Sequence, residues 1–94
     1  MAKKITMFHL KICKYCDMAR KAIKELKEGN PGFKDIEIEM IDEEEHPEIA
    51  ERFDYWSVPS LFVGDEKVFE ANIFMSYDDI KDGVMKAFKK ALEG

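Results

Sequence analysis

The chain predicts an α/β fold of four strands and three helices in the order β-α-β-α-β-β-α. Three observations carry that expectation. The hydrophobic residues switch repeatedly between a period of two and a period near 3.6, the pattern of strands alternating with helices. Gly29-Asn30-Pro31-Gly32 and Gly64-Asp65-Glu66 separate periodic segments, as turn-forming clusters do. The 94 residues, 46% hydrophobic and 37% charged, suit one compact domain with a modest core that needs no covalent staple.

The elements follow in order. Ile5 to Leu10 is strand-like. From Cys13 to Glu28, Met18, Ala19, Ala22, Ile23 and Leu26 recur at helical spacing, and the glycine-proline cluster after Glu28 ends that helix. Asp35 to Ile41 alternates Asp35, Glu37 and Glu39 with Ile36, Ile38 and Met40, which predicts a strand whose buried face is the second set. Pro47 suits the first position of a short second helix with Ile49, Ala50 and Phe53 facing inward. Ser60 to Val63 and Lys67 to Glu70 are β-rich runs around Gly64-Asp65-Glu66 and read as a hairpin that closes the sheet. The last helix runs from about Tyr77 to Leu92. Ser76 is its N-cap, Asp79 takes the capping-box position usually held by Glu, and Ile80, Val84, Phe88 and Leu92 lie four apart along it. Nothing in the chain reads as a linker, a repeat or a low-complexity tract, so residues 1–94 are expected to form a single domain.

Charge narrows the partners. Fifteen basic residues are scattered among twenty acidic ones, for a net charge of -5, with no basic arm or stripe, which argues against nucleic acid. The run Ile5 to Leu10 is interrupted by Thr6 and His9 and is too short and polar for a secretory or membrane segment, so no membrane is expected and a cytoplasmic monomer is. The acidic run Asp42-Glu43-Glu44-Glu45 reads as a solvated turn that helps the following helix begin.

The two cysteines, Cys13 and Cys16, are the only ones in the chain, and they fall where the first strand gives way to the first helix. In a reducing compartment such a pair points to redox, sensing or metal chemistry before structure. The unsatisfied N–H groups and the dipole at a helix start favour a thiolate, so Cys13 is the expected nucleophile. Lys14 adds a neighbouring positive charge. Cys16, one turn deeper and shielded by Tyr15, keeps a higher pKa and attacks the mixed disulfide once it has formed. The expected activity is therefore thiol-disulfide exchange that reduces protein disulfides, with no bound cofactor and an external thiol reductant. Tyr15 either contacts substrate or covers the end of the sheet. Of the aromatic pair that follows the second helix, Tyr55 is read as inward and Trp56 as facing the dithiol. His9 is read as a strand residue, since exchange needs no base once Cys13 is ionised. Phe69, Phe74 and Met75 are core or lid.

The competing class is a binding module without disulfide turnover. Cys13 and Cys16 with His9 and His46 are a nominal zinc set, although zinc modules normally supply ligands as two knuckles and this chain has one. An iron-sulfur cluster shared between two copies is the other form of that reading. A structural disulfide closes too small a loop to constrain the unfolded chain.

A Cys-x-x-Cys at the start of a helix, followed by Ser57-Val58-Pro59 leading into a hairpin, resembles the thioredoxin-like superfamily and its glutaredoxin-sized members over nearly the full chain. The resemblance implies a four-stranded mixed sheet with three helices. It implies that Pro59 is cis and lies beside the reactive cysteine, where the neighbouring backbone at Val58 pairs with an extended substrate strand. Cys13-Lys14-Tyr15-Cys16 departs from the glutaredoxin Cys-Pro-Tyr-Cys at Lys14. Leu10 stands at a lysine position with Lys11 beside it, and Glu70-Ala71 stands about where that family carries the Gly-Gly of its glutathione site. A carboxylate at Glu70 is expected to repel a glutathione carboxylate. Against thioredoxins, Ile12 replaces the Trp before the first cysteine and Met7 stands at the buried-aspartate position. Fold and dithiol chemistry therefore carry over, and the electron donor is either glutathione or a dithiol reductase.

Overall fold

A computed structural model describes residues 2–93; Met1 and Gly94, the ends of the predicted domain, lie outside the described residues. The elements are β1 (Ile5–His9), α1 (Lys14–Gly29), β2 (Ile38–Asp42), α2 (Pro47–Ala50), β3 (Ser60–Val63), β4 (Glu66–Glu70) and α3 (Tyr77–Glu93), with a 3-10 turn at Pro31–Phe33. The strands form one mixed sheet in the order β2-β1-β3-β4. β1 runs parallel to β2 and antiparallel to β3, and β3 pairs antiparallel with β4. This is the α/β, thioredoxin-like architecture, with a four-stranded mixed sheet and three helices. Among the described residues no helix is long and apolar enough to cross a membrane.

β1 sits in the middle of the sheet and is buried on both faces, which is why Ile5 to Phe8 lacks a polar face. Ile5 and Met7 face α1 and α3, packing with Ala19, Ala22 and Leu26 of the first helix and Ile80, Val84, Ala87 and Phe88 of the last. Phe8 faces the other way into a smaller cluster with Ile41 and Phe62, covered by Ile49, Ala50, Phe53 and Tyr55. The inward face expected for the short second helix is therefore the one observed.

The capping box at α3 forms as expected. The Ser76 Oγ accepts from the Asp79 N–H at 3.1 Å and the Asp79 carboxylate accepts from the Ser76 N–H at 3.0 Å. Gly64, at φ +61, makes the hairpin turn in a backbone region that side chains avoid. Gly83 on α3 lets the Phe69 ring of β4 approach so closely that a Cβ there would lie 2.2 Å from it.

Three expectations are corrected. Leu92 is exposed and Ala91 takes its place in the core, because residues four apart advance about 40° around a helix at each step and leave the buried stripe after three. The second strand begins at Ile38 and not Asp35, and Met40 is exposed while Ile41 is buried in the opposite cluster. β2 is an edge strand, so one of its faces is only partly roofed and period-2 alternation does not decide burial along it. Asp42, read as part of a solvated turn, is buried; its carboxylate accepts from the Glu44 N–H at 2.8 Å and so shapes the turn from inside.

Candidate active site

Strand direction gathers the loops. β1 and β2 end where β3 begins and β4 ends, so residues 10–13, 43–46, 55–59 and 71–76 share one end of the sheet. The cysteine pair lies there, and so does Val58-Pro59.

Cys13 is the N-cap of α1, with extended backbone, and Cys16 lies on the first turn. Both are free thiols. The Cys13 Sγ accepts a hydrogen bond from the Cys16 N–H at 3.1 Å, the contact a Ser or Asp oxygen makes at an ordinary N-cap. Cys13 is half-buried and Cys16 fully buried. Burial, reinforced by a hydrogen bond to Cys13, pushes the Cys16 thiol up to about 12. The two sulfurs thus stand in unlike settings although only two residues separate them.

The flanking residues divide. Lys14 is exposed, with its Nζ 5.8 Å from the centre of the Tyr15 ring. Tyr15 is half-buried and its hydroxyl donates to the Ile73 carbonyl, so it ties the first turn of α1 to the loop after β4. The Val58-Pro59 peptide is cis. Pro59 is fully buried and its carbonyl accepts from the Ala71 N–H at 3.0 Å, while Val58 is half-buried against the Phe8 cluster. Tyr55 faces inward, stacked on Phe8 with ring centres 4.7 Å apart. Its hydroxyl donates to Glu43 at 2.6 Å, and burial together with that carboxylate raises its pKa. Trp56 is 91% exposed.

His9 fills a gap beneath this end. Its Nδ1 lies 2.9 Å from the Arg20 guanidinium, which can only donate, so the ring proton is on Nε2. Burial and the Arg20 charge lower its pKa. A neutral ring with its lone pair already engaged is no general base. Among the described residues no group of three or more His, Cys, Asp or Glu side chains is placed to hold a metal ion, so Cys13, Cys16, His9 and His46 do not assemble as the nominal zinc set.

Several residues that the sequence left unremarked or undecided stand out here. Ile12 is 97% exposed, Ile73 70% and Phe74 88%, and with Trp56 they place four large apolar side chains on the loops at the dithiol end. Phe74 is therefore not core, whereas Phe69 and Met75 pack on the main core. No signal within these segments marked them, because the sharing of one end by these loops is set by how strands from distant parts of the chain pair.

The glutaredoxin family model matches residues 5–68. A solved chain described as "Structure of a malarial protein" superposes with a TM-score of 0.61 at 20% sequence identity, covering 93% of this chain and 98% of its own; at that identity it shows the fold alone. No curated protein sequence matches.

Proposed function

We propose, for a chain that belongs to the glutaredoxin family and so to thiol-disulfide redox proteins, that Cys13 and Cys16 reduce disulfides in protein substrates by dithiol exchange. The observation that carries this reading is the Cys13 sulfur at the helix start, accepting the Cys16 N–H, with a buried Cys16 directly behind it.

The Cys13 thiolate attacks one sulfur of the substrate disulfide. A Cys13–substrate bond forms, the substrate S–S bond breaks, and the departing sulfur takes a proton from water. Cys16 then loses its proton to solvent and attacks the Cys13 sulfur, forming the Cys13–Cys16 disulfide and releasing the second substrate thiol. Two electrons have passed from protein to substrate. In the resting state Cys16 is held protonated by burial first and by the hydrogen bond and charge of Cys13 after it. Once Cys13 is capped as a mixed disulfide the latter two influences vanish, so the Cys16 pKa falls at the step that requires its thiolate.

Lys14 places its charge beside the reaction, and the Val58 backbone next to Pro59 receives the substrate strand. Ile12, Trp56, Ile73 and Phe74 supply the apolar contacts that a protein partner needs. An external thiol, from glutathione or a reductase-linked dithiol, restores the reduced pair, with no cofactor held by the protein. A monomer in the cytoplasm suits that cycle.

Insulin reduction tests the reading, driven in parallel by dithiothreitol, by glutathione with its reductase, and by a thioredoxin reductase system. Acceleration is expected with at least one donor, its loss in Cys13→Ser, and a trapped mixed disulfide in Cys16→Ser. Full activity in Cys13→Ser would overturn the roles. No acceleration with any donor, together with visible absorbance in fresh protein, would favour the cluster-binding alternative.

A further inference from the structure

The loop before the cis proline carries an anion site already filled by the chain itself. The backbone N–H groups of Trp56 and Ser57 converge on one oxygen of the Glu70 carboxylate, at 2.5 and 2.7 Å. The Lys67 Nζ meets the other oxygen at 2.8 Å. Two adjacent N–H groups aimed at a single point form a nest for anions, and an ammonium beside it strengthens the preference. Burial works against the charge on Glu70, but Lys67 and the two N–H groups outweigh it and hold the carboxyl below its usual range.

The arrangement depends on an irregularity. Residues three apart on a regular strand point to opposite faces. The β3–β4 register shifts between Leu61 and Phe62, pairing Leu61 with Phe69 and Phe62 with Lys67, so β4 carries one extra residue, Val68. That bulge returns Lys67 and Glu70 to the same side. The cradle is also continuous with the dithiol end. Ser57 donates its hydroxyl to the Ala71 carbonyl, Ala71 pairs with Pro59, and Tyr15 bonds to Ile73 two residues on.

We infer that Glu70 is a specificity-determining residue that occupies a carboxylate site at the dithiol end of the sheet and so turns the protein away from small anionic thiols and disulfides. An incoming carboxylate finds the two N–H groups already bonded and a fixed negative charge in their place. Uncharged dithiols and apolar protein segments need neither group. This inference rests on the dithiol reading above and assigns its electron donor, since glutathione is a small peptide bearing carboxylates and its use is disfavoured in favour of an uncharged or protein dithiol. Occupancy, more than repulsion at a distance, is the cause, because Lys67 already balances much of the charge.

The test follows oxidation of the fully reduced protein, read by its thiol content, with glutathione disulfide, neutral bis(2-hydroxyethyl) disulfide and cationic cystamine. In each case two electrons leave Cys13 and Cys16 and the disulfide yields two thiols. The quantity read is the rate ratio of glutathione disulfide to the neutral compound. In Glu70→Ala the vacated N–H groups and Lys67 are open to an external carboxylate, and the ratio is expected to rise about tenfold, the scale of one charge-assisted hydrogen bond. Glu70→Gln keeps an oxygen in the cradle without the charge, and is expected to raise the ratio only two- to threefold. Acetate, added to Glu70→Ala, is expected to fill the cradle and return the ratio toward the wild-type value. A ratio unchanged in both variants, or rates that fall equally with all three disulfides, would make Glu70 purely structural and overturn the inference. Failure of the wild type to react with any disulfide would instead overturn the dithiol reading.

Discussion

At one end of the sheet the loops turn their apolar residues outward; at the other they turn them in. The dithiol end exposes Ile12, Trp56, Ile73 and Phe74. At the opposite end, the connection from α1 to β2 buries Phe33 and Ile36, with the Phe33 ring stacked on Phe88 at 4.7 Å, and the hairpin closes in a tight turn at Gly64. The same short chain, with the same supply of helix surface, covers one set of side chains and leaves the other in water. Exposure at the dithiol end is thus a matter of position and not of a core too small to hold these residues. On the proposed function, these exposed side chains are where a protein partner docks.

The sharpest way to break this comparison is at the cysteines, where the two settings meet within one helical turn. With the Cys16 thiol pushed up to about 12, by burial first, its thiolate is scarce at pH 8. Iodoacetamide at that pH is expected to label Cys13 alone in the native protein and both cysteines after unfolding, with peptide mass mapping as the readout. The Cys16 rate should climb with every pH unit up to about 12, because its folded pKa is raised and its thiolate is scarce below that value. Equal labelling of both in the native state would mean that the two sulfurs share one environment.

A smaller effect is expected from the apolar rim. Ile12→Ser and Phe74→Ser should each lower kcat/KM for insulin reduction by roughly fivefold, about 1 kcal/mol of partner contact. Leu92→Ser, an exposed apolar residue at the far end of α3, should leave it unchanged. If all three behave alike, exposure at the dithiol end carries no recognition.

The smallest effect belongs to the far turn. Gly64→Val places a β-branched residue at φ +61 and should cost about 1–2 kcal/mol in urea denaturation. Insulin reduction should stay at the wild-type rate, since the turn lies at the other end of the sheet from Cys13. A fall in activity with retained stability would show that the two ends are coupled.

Much of this molecule was legible residue by residue. Ser76 and Asp79 announced the start of α3 because a capping box is complete within four residues. Pro47 and the inward Ile49, Ala50 and Phe53 were readable for a similar reason, and the paired cysteines declared themselves by spacing at a strand-to-helix junction. Other features depended on distant segments. Whether Met40 or Ile41 is buried turns on β2 being an edge strand, and the exchange of Leu92 for Ala91 turns on where α3 meets the sheet. Phe69 and Phe74 look alike in sequence, yet one packs against Gly83 and the other is left in solvent.

Glu70 draws the line between the two kinds of information. From sequence it was a carboxylate standing where a resembling family has glycine, and its expected effect was repulsion. In the folded chain it is bonded to the N–H groups of residues thirteen and fourteen positions earlier and shares a face with Lys67 through a bulge. The sequence by itself determined the element order, the helix caps and the dithiol at a helix start, because each is written in residues within a turn or two of one another. Only the tertiary structure decided which loops share an end, which apolar side chains are left uncovered and what the Glu70 carboxylate bonds to, because those outcomes depend on strands brought side by side from distant parts of the chain.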